Sequence, residues 1–425
     1  RAEWDVILFW GLLAALGMPD KIFPEARRLL APEGWVLIRE KIRYREEEYL
    51  DAPAISMREL VCALAENGFR VTRNEPEGAG KGENAGLTAL RAWLGELSGK
   101  GPKGLRSRRG GVNFSPYLNN DTACQWIAAK KDSVTIRPYE PGDEIRILNT
   151  FRQVFGAERT LDHWYWKFEK NPFGRYRIAL AILQDGTLGA QYAGYPVPFS
   201  LGREDPQEQL SLHIGDIMTH PRSRQLGLGT GSVLSRVATY FYYRFCVDRV
   251  PFIYGFITGS HRRFGERFLR YRCVSPVPYH ILERDRWKTS RAQGLWKCVS
   301  GLSVKEVFRT GPEFARLFLE ARQHYGVLVK RDAAYLQWRY LDCPDGVHRL
   351  FAVRKRGRLV GWGVFRVKGD LLIWGDALFQ KSQVRTARSL IGRLLTREYP
   401  HISRIQGWFS DQPVWWSRHL TEWGF

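Results

Sequence analysis

Two stretches of this chain repeat each other in register. Trp166-Lys-Phe-Glu-Lys-Asn-Pro172-Phe-Gly174 matches Trp338-Arg-Tyr-Leu-Asp-Cys-Pro344-Asp-Gly346, 172 positions further on. Without a gap, the same offset aligns Arg177 with Arg349 and Gly189 with Gly361. Each copy reads helix, loop, strand, turn, strand. A further strand then carries Gly215-Asp216 in the first copy and Gly375-Asp376 in the second. Repetition constrains topology strongly, because both copies must fit one supersecondary plan. Two α/β units of mixed sheet are expected, at about 132–290 and 300–425.

The region before the repeat has a different pattern. Val6-Ile7-Leu8-Phe9 is a buried-strand run, and Pro24 to Leu30 has helical spacing. A turn at Ala31-Pro32-Glu33-Gly34 leads into a strand at Trp35 to Ile38, and a helix at Met57 to Asn67 closes on Gly68 as its cap. These features make 1–72 an α/β segment. Residues 73–131 are rich in glycine and charge, with a basic run from Lys100 to Gly111, and are expected to form a solvated linker.

The chemistry is concentrated after the first Gly-Asp. A strand at Leu210–Thr219 runs into Pro221-Arg-Ser-Arg-Gln-Leu-Gly227-Leu-Gly229-Thr-Gly231, and Ser232 to Phe245 has helical length and spacing. Strand, glycine-rich turn and helix in that order form an anion site, since unpaired N–H groups and the helix dipole both favour negative charge. Glycines at 227, 229 and 231 let the main chain approach a phosphate closely. No Gly-Lys-Ser/Thr follows, so this is not a Walker loop. A dinucleotide fold is disfavoured as well. The G-x-G-x-x-G spacing is absent, and Arg177–Leu183 and Leu188–Pro196 read as an antiparallel hairpin about Asp185-Gly186.

The stretch Thr219-His-Pro221-Arg-Ser-Arg224-Gln-Leu-Gly227-Leu-Gly229 resembles the acyl-CoA loop of GNAT acyltransferases, V-x-P-x-x-(R/Q)-x-x-G-x-(G/A), with Thr219 in place of the first Val. The order of elements around it also fits, from the opening strand Val134–Pro138 to a helix ending at Leu269-Arg270-Tyr271. The resemblance covers about 150 residues and implies acetyl-CoA or another acyl-CoA as cosubstrate. It implies that the N–H groups of Gln225, Leu226, Gly227, Leu228, Gly229 and Thr230 hold the pyrophosphate. Ile217, Met218 and Thr219 would pair with the pantetheine arm, which enters between the strands Leu210–Thr219 and Pro251–Ile257. Arg222 and Arg224 would add charge to the phosphates.

Family members often place a glutamate on the strand before the loop as general base. Here His213 stands at that position, and a neutral imidazole serves near pH 7. His213, Gly215, Ile217 and Thr219 should share one strand face, with Asp216, the second candidate base, on the other. At the position of the family's tyrosine acid this chain has Glu266; Tyr254, Tyr271 or no dedicated acid at all are the alternatives. No metal is implied. The reading is therefore an N-acetyltransferase acting on a small-molecule or peptide amine by direct transfer.

The second copy has Gln380-Lys-Ser-Gln-Val-Arg385 where the glycine loop would be, so no coenzyme is expected there. Its tail, from Trp408 to Phe425, is dense in aromatics and reads either as core or as the lining of an acceptor groove. The N-terminal segment resembles the C-terminal half of a class I methyltransferase. The match rests on Asp5-Val-Ile-Leu-Phe9, on Ala26 to Ile38 with its Pro32-x-Gly34 turn, and on Leu60 to Phe69. That Rossmann-like fold carries its glycine loop and ribose-binding acid further upstream, so S-adenosylmethionine is not expected to bind this segment. The chain opens on Arg1 and ends on Gly424-Phe425, and further sequence is expected at both ends.

A formal charge of +21 draws anions without choosing among coenzyme, nucleic acid and lipid. Six cysteines, none in a C-x-x-C pair, argue against a zinc or disulfide framework and suit a reducing cytoplasm. No apolar run is long enough to span a bilayer. Two alternatives stand beside the enzyme: a non-catalytic GNAT-fold protein binding nucleic acid or another anionic partner, and a methyltransferase–acetyltransferase fusion. No pattern in the sequence specifies the acceptor, the acyl length or the oligomeric state.

Overall fold

The computed structural model describes residues 4–10, 13, 19–43, 54–76, 124–202, 207–257, 259–289 and 301–425. These residues form a mixed α/β protein in which no helix is long and apolar enough to cross a membrane. The chain divides into two compact units, each assembled from separate segments. One takes 1–159, 177–194 and 214–271; the other takes 160–176, 195–213 and 272–425.

In the first unit, β1 (Trp4–Trp10) and β2 (Leu30–Arg43) run parallel, with the helix Pro19–Leu29 between them. β3 (Ile55–Ser56) adds beside β2. β4 (Phe69–Pro76) and β5 (Cys124–Lys131) complete the order β1-β2-β5-β4, with β5 antiparallel to both neighbours. The ends of the expected linker are therefore strands. Ile127, Ala128 and Ala129 are buried there, and their apolar run is what favours pairing over solvation. The basic run from Lys100 to Gly111 lies outside the described residues.

The helix Met57–Glu66 starts at a capping box, with Ser56 N–H donating to Glu59 and Arg58 N–H donating to Ser56 Oγ. It ends one residue earlier than expected. Asn67 is the cap residue and Gly68 takes the left-handed position at φ +67°, where a Cβ would lie 2.5 Å from Arg27 Nη1. Arg27 occupies that space because its guanidinium satisfies the carbonyls of Asn67, Gly68 and Asp132. Arg58 is buried at 8% exposure and does the same for the helix Val233–Phe245, donating to Tyr243 O (3.0 Å) and Val247 O (2.5 Å). The N-terminal segment is thus joined to the helix that follows the glycine loop.

The second sheet consists of β6 (Val134–Pro138), β7 (Arg177–Leu183), β8 (Leu188–Leu201), β9 (Gln207–Thr219) and β10 (Ile253–Tyr254), in the order β10-β9-β8-β7-β6. β7 and β8 form the expected antiparallel hairpin, turning through Gly186 at φ +79°. The expected strand at Pro251–Ile257 shortens to Ile253–Tyr254. Next come β11 (Tyr279–Glu283), β12 (Leu302–Val307), β13 (Val327–Val329), β14 (Arg349–Lys355), β15 (Arg358–Lys368), β16 (Leu371–Phe379) and β17 (Arg404–Trp408). The third sheet has the order β11-β17-β16-β15-β14-β12, so β12, β14, β15, β16 and β17 repeat the succession of β6 to β10. β13 pairs instead with the end of β8. The repeated glycines are both positions of close approach. A Cβ on Gly189 would lie 2.9 Å from Ser223 Oγ, and one on Gly361 would lie 2.0 Å from the Phe379 ring.

Within the second unit, the two tryptophans that define the repeat meet each other. Trp166 Nε1–H donates to Trp338 O (2.6 Å), Trp338 Nε1–H donates to Trp166 O (2.9 Å), and the rings stack at 5.8 Å. Reciprocal bonds between aligned residues are the mark of a local two-fold relation. Trp166→Phe and Trp338→Phe should each cost about 1–3 kcal/mol, because each leaves a buried carbonyl unsatisfied. Urea unfolding followed by circular dichroism should show the double variant costing less than the sum of the singles. Additive losses would mean the two bonds are independent.

Within the aromatic tail, Trp416 and Trp423 are core, and Phe409, Trp415 and Phe425 pack partly buried against them. Trp374, Trp416 and Trp423 are buried with Phe365 and Phe379 over the third sheet, and Phe365 stacks on Trp374 at 5.6 Å. The acceptor-groove alternative fails for these side chains, although Trp408 is 62% exposed.

Candidate active site

β9 reaches the glycine loop through an irregularity. Asp216 sits at φ +56°, a left-handed conformation that costs a non-glycine residue about 1–2 kcal/mol. Three contacts hold it there. Arg159 forms an ion pair through Nη1 to Oδ2, its Nη2 reaches Oδ1 at 3.3 Å, and Gln191 Nε2 donates to the Asp216 carbonyl at 2.9 Å. The strict face alternation expected from His213 to Thr219 does not pass through such a residue unchanged.

The second unit contains a matching arrangement. Arg331 Nε lies 2.9 Å from both carboxylate oxygens of Asp376, which also accepts from Tyr340 Oη (2.8 Å) and from Ala377 N–H (2.9 Å). Arg159 and Arg331 stand at the repeat offset, as do the helix caps beside them, Thr160 and Asp332. Sequence reading missed both arginines. Extending the repeat alignment seven residues upstream of Trp166 reaches Arg159.

The loop itself folds closely on its own backbone. His220 N–H donates to Gly189 O (2.9 Å), and Pro221–Ser223 forms a single 3-10 turn with Ser223 buried. Leu226 N–H is used by Ser223 O at 3.1 Å, so of the expected pyrophosphate donors this one is engaged locally. Gly227 takes φ +85°, and a Cβ there would lie 2.3 Å from Gly231 O. Gly229 takes φ +56° against the Phe268 ring, whereas a Cβ on Gly231 would meet nothing within 4 Å. The helix begins at Val233, where Ser232 Oγ accepts from Ser235 N–H and Ser235 Oγ donates to Gly229 O (2.7 Å).

Gln225, Leu226 and Leu228 are exposed, with Leu228 at 82%. Thr230 is half-buried, as are Ile217 and Thr219 at the strand end, while Met218 is buried. Arg222 is drawn to Asp185 (3.3 Å), and Arg224 is exposed. No acidic side chain occurs from Ile217 to Ser232. The surface is open, carries positive charge and contains two left-handed glycines, which suits an extended polyanion.

His213 lies on β9, where a hydrogen bond joins its Nδ1 to Tyr195 Oη (2.5 Å) with the rings edge-on at 5.0 Å. That partner fixes the orientation of the imidazole. Glu266 does not face a comparable environment. It pairs with Arg262 (2.9 Å) along the helix Gly259–Phe268, both side chains well exposed. Tyr271 is half-buried and shares a hydroxyl chain with Tyr192 (2.7 Å) and, through it, Tyr242 (2.9 Å). Burial pushes the Tyr271 phenol above its ordinary range, so it stays protonated. Its ring packs where a Cβ on Gly265 would stand, 2.0 Å away.

No protein-family profile matches the chain, and no curated protein matches it. Solved structures of similar outline include a conserved protein of unknown function from Enterococcus faecalis, described as a probable N-acyltransferase. It has a TM-score of 0.47 and 14% identity, over 64% of this chain and 65% of that one. A GCN5-related N-acetyltransferase from Anabaena variabilis gives 0.45 and 12%, over 64% and 65%. Eis1 from Mycobacterium abscessus gives 0.44 and 15%, over 66% and 67%. The chain thus spans 65% of the length of the first two. Functional assignment rests on the site itself.

Proposed function

We propose that this chain is an acyl-CoA-dependent N-acyltransferase of GNAT type, moving an acetyl group directly from acetyl-CoA to an amine of a small molecule or peptide. The observation that carries this reading is the connection from β9 to the helix Val233–Phe245. It combines the Pro221-x-x-Arg224-x-x-Gly227-x-Gly229 pattern, two left-handed glycines and no acidic side chain. The main chain from Gln225 to Thr230, apart from the engaged Leu226 N–H, would hold the coenzyme phosphates, with Arg224 adding charge, and Ile217 to Thr219 would pair with the arm.

Amine attack requires loss of a proton from the ammonium. His213 is the proposed base, oriented by Tyr195. Asp216 is a positioning residue, since its carboxylate is committed to Arg159. Glu266 is set aside in favour of Tyr271 as proton donor, because the phenol is held protonated beside the Tyr192 hydroxyl while the glutamate is an exposed partner of Arg262. The repeat and the matching Arg–Asp pairs support a second, coenzyme-free copy of the same unit. The parallel β1–helix–β2 arrangement supports the methyltransferase-like reading of the N-terminal segment.

The test is calorimetric titration of acetyl-CoA into the full chain, followed by an amine panel read by release of free coenzyme thiol. Saturable one-to-one binding and amine-dependent thiol release are expected. No binding by the folded protein would overturn the proposal in favour of a non-catalytic protein for anionic partners, which salt-sensitive retention of nucleic acid would identify.

A further inference from the structure

Beside Trp166 and Trp338, the side chains on the two sides of the local two-fold relation differ in chemical character. At the repeat offset, His163 corresponds to Tyr335, Cys343 to Asn171 and Asp345 to Phe173. On one side of the relation, Phe173 packs against Tyr335 at 6.3 Å. There Asn171 is consumed by the backbone, donating to Pro196 O (2.9 Å) and accepting from Phe173 N–H (3.0 Å). On the other side, His163, Cys343 and Asp345 each bring a ligand atom, and all three lie within 4.8 Å of one another. The whole arrangement belongs to the second unit.

We propose that His163, Cys343 and Asp345 form a divalent transition-metal site, with zinc the ion it fits best, beside the paired tryptophans. Imidazole, thiolate and carboxylate are the three zinc ligand types, and three protein ligands leave a fourth position for water. The mixed N, S, O set excludes calcium and magnesium, which take oxygen alone. A tetrahedral ion with bonds of about 2.0–2.3 Å needs ligand atoms about 3.5 Å apart. His163 Nε2 and Asp345 Oδ2 already stand at 3.7 Å. The turn Cys343–Gly346 closes through Gly346 N–H to Cys343 O (3.0 Å), with Gly346 at φ +61°. It presents the cysteine and the aspartate together while the helix Leu161–Phe168 presents the histidine. Cys343 is 5% exposed, but the Asp345 side chain is 52% exposed and gives the ion a way in. Such an ion would staple two segments far apart in sequence. The site stands on this geometry and is independent of the acyltransferase reading.

The experiment is uptake of zinc and of cobalt(II) by the chelator-treated full-length chain. One equivalent of zinc should remain after dialysis, and cobalt should give a thiolate charge-transfer band that saturates at one equivalent. Cys343→Ser should abolish the band. Asp345→Asn, a change at an exposed side chain that leaves the fold intact, should weaken uptake by about 10–100-fold or more. Cys273→Ser, at an exposed cysteine elsewhere, should change nothing. The proposal falls if uptake does not saturate or if the band survives Cys343→Ser. It also falls if Asp345→Asn binds like the parent, or if Cys273→Ser removes the band.

Discussion

Replacing Arg58 with alanine should lower the stability of the helix Val233–Phe245 by about 3 kcal/mol. Arg58 starts the helix Met57–Glu66, yet its guanidinium ends at the far terminus of another helix, on the carbonyls of Tyr243 and Val247. Tyr243 lies in the last turn of that helix, at the negative pole of its dipole where a cation is favoured, and Val247 follows just beyond its cap. Burial works against the charge and pulls the Arg58 pKa down, so the geometry must compensate with good hydrogen bonds, and Asp248 at 4.0 Å adds charge. Alanine would leave both carbonyls facing a cavity. Lysine would recover only part of the loss, since a single ammonium cannot present the planar fork. Hydrogen exchange is the appropriate readout because it resolves one helix within a large chain. Amides of this helix should exchange on the order of 100-fold faster in Arg58→Ala. Unchanged exchange would show that the N-terminal segment does not support the helix that follows the glycine loop.

Gly227→Ala should abolish acetyl-CoA binding, while Gly231→Ala should leave it nearly intact. The two glycines are four residues apart and look equivalent in the sequence. Gly227 is left-handed at φ +85°, and its Cβ position is 2.3 Å from the backbone oxygen of Gly231, well inside contact distance. Backbone cannot swing aside as a side chain can, so the loop must open. The left-handed angle adds about 1–2 kcal/mol of strain for alanine. Gly231 carries neither constraint, since a Cβ there meets open space. Titration of acetyl-CoA should therefore show at least about 100-fold weaker binding for the first variant and less than about threefold for the second. Equal affinities would show that the coenzyme does not rest on this loop. A loss confined to Gly231→Ala would place the ligand on the open side of that residue instead.

Much of the framework is legible along the chain because it depends on local physics. Asp185-Gly186 between two apolar runs specifies an antiparallel hairpin. Ser56 with Glu59 specifies a helix start, and Gly68 a helix end displaced by one residue. The repeat fixes a common order of strands in two sheets. The glycine loop is visible too, as three alternating glycines between a strand and a helix, two of which take left-handed backbone angles. The linker was the weaker inference. Composition described its middle, but the apolar residues at its downstream end found partners across 50 or more positions, as the Thr72 to Ala128 hydrogen bond illustrates.

The sequence by itself therefore determined most of the elements, their order, their caps, the repeated plan and the place of the glycine-rich turn. Tertiary structure decided which distant groups meet: Arg159 with Asp216, Arg58 with a helix end 185 residues away, Trp166 with Trp338, and His163 with Cys343 and Asp345. The spacing of single cysteines along the chain carries no trace of the His163–Cys343–Asp345 grouping, because proximity in space is set by the fold. The reason is physical. Caps, turns and periodicities arise from interactions between residues a few positions apart, and these leave a local trace. Long-range pairs are chosen only when burial and hydrogen bonding close the fold around them.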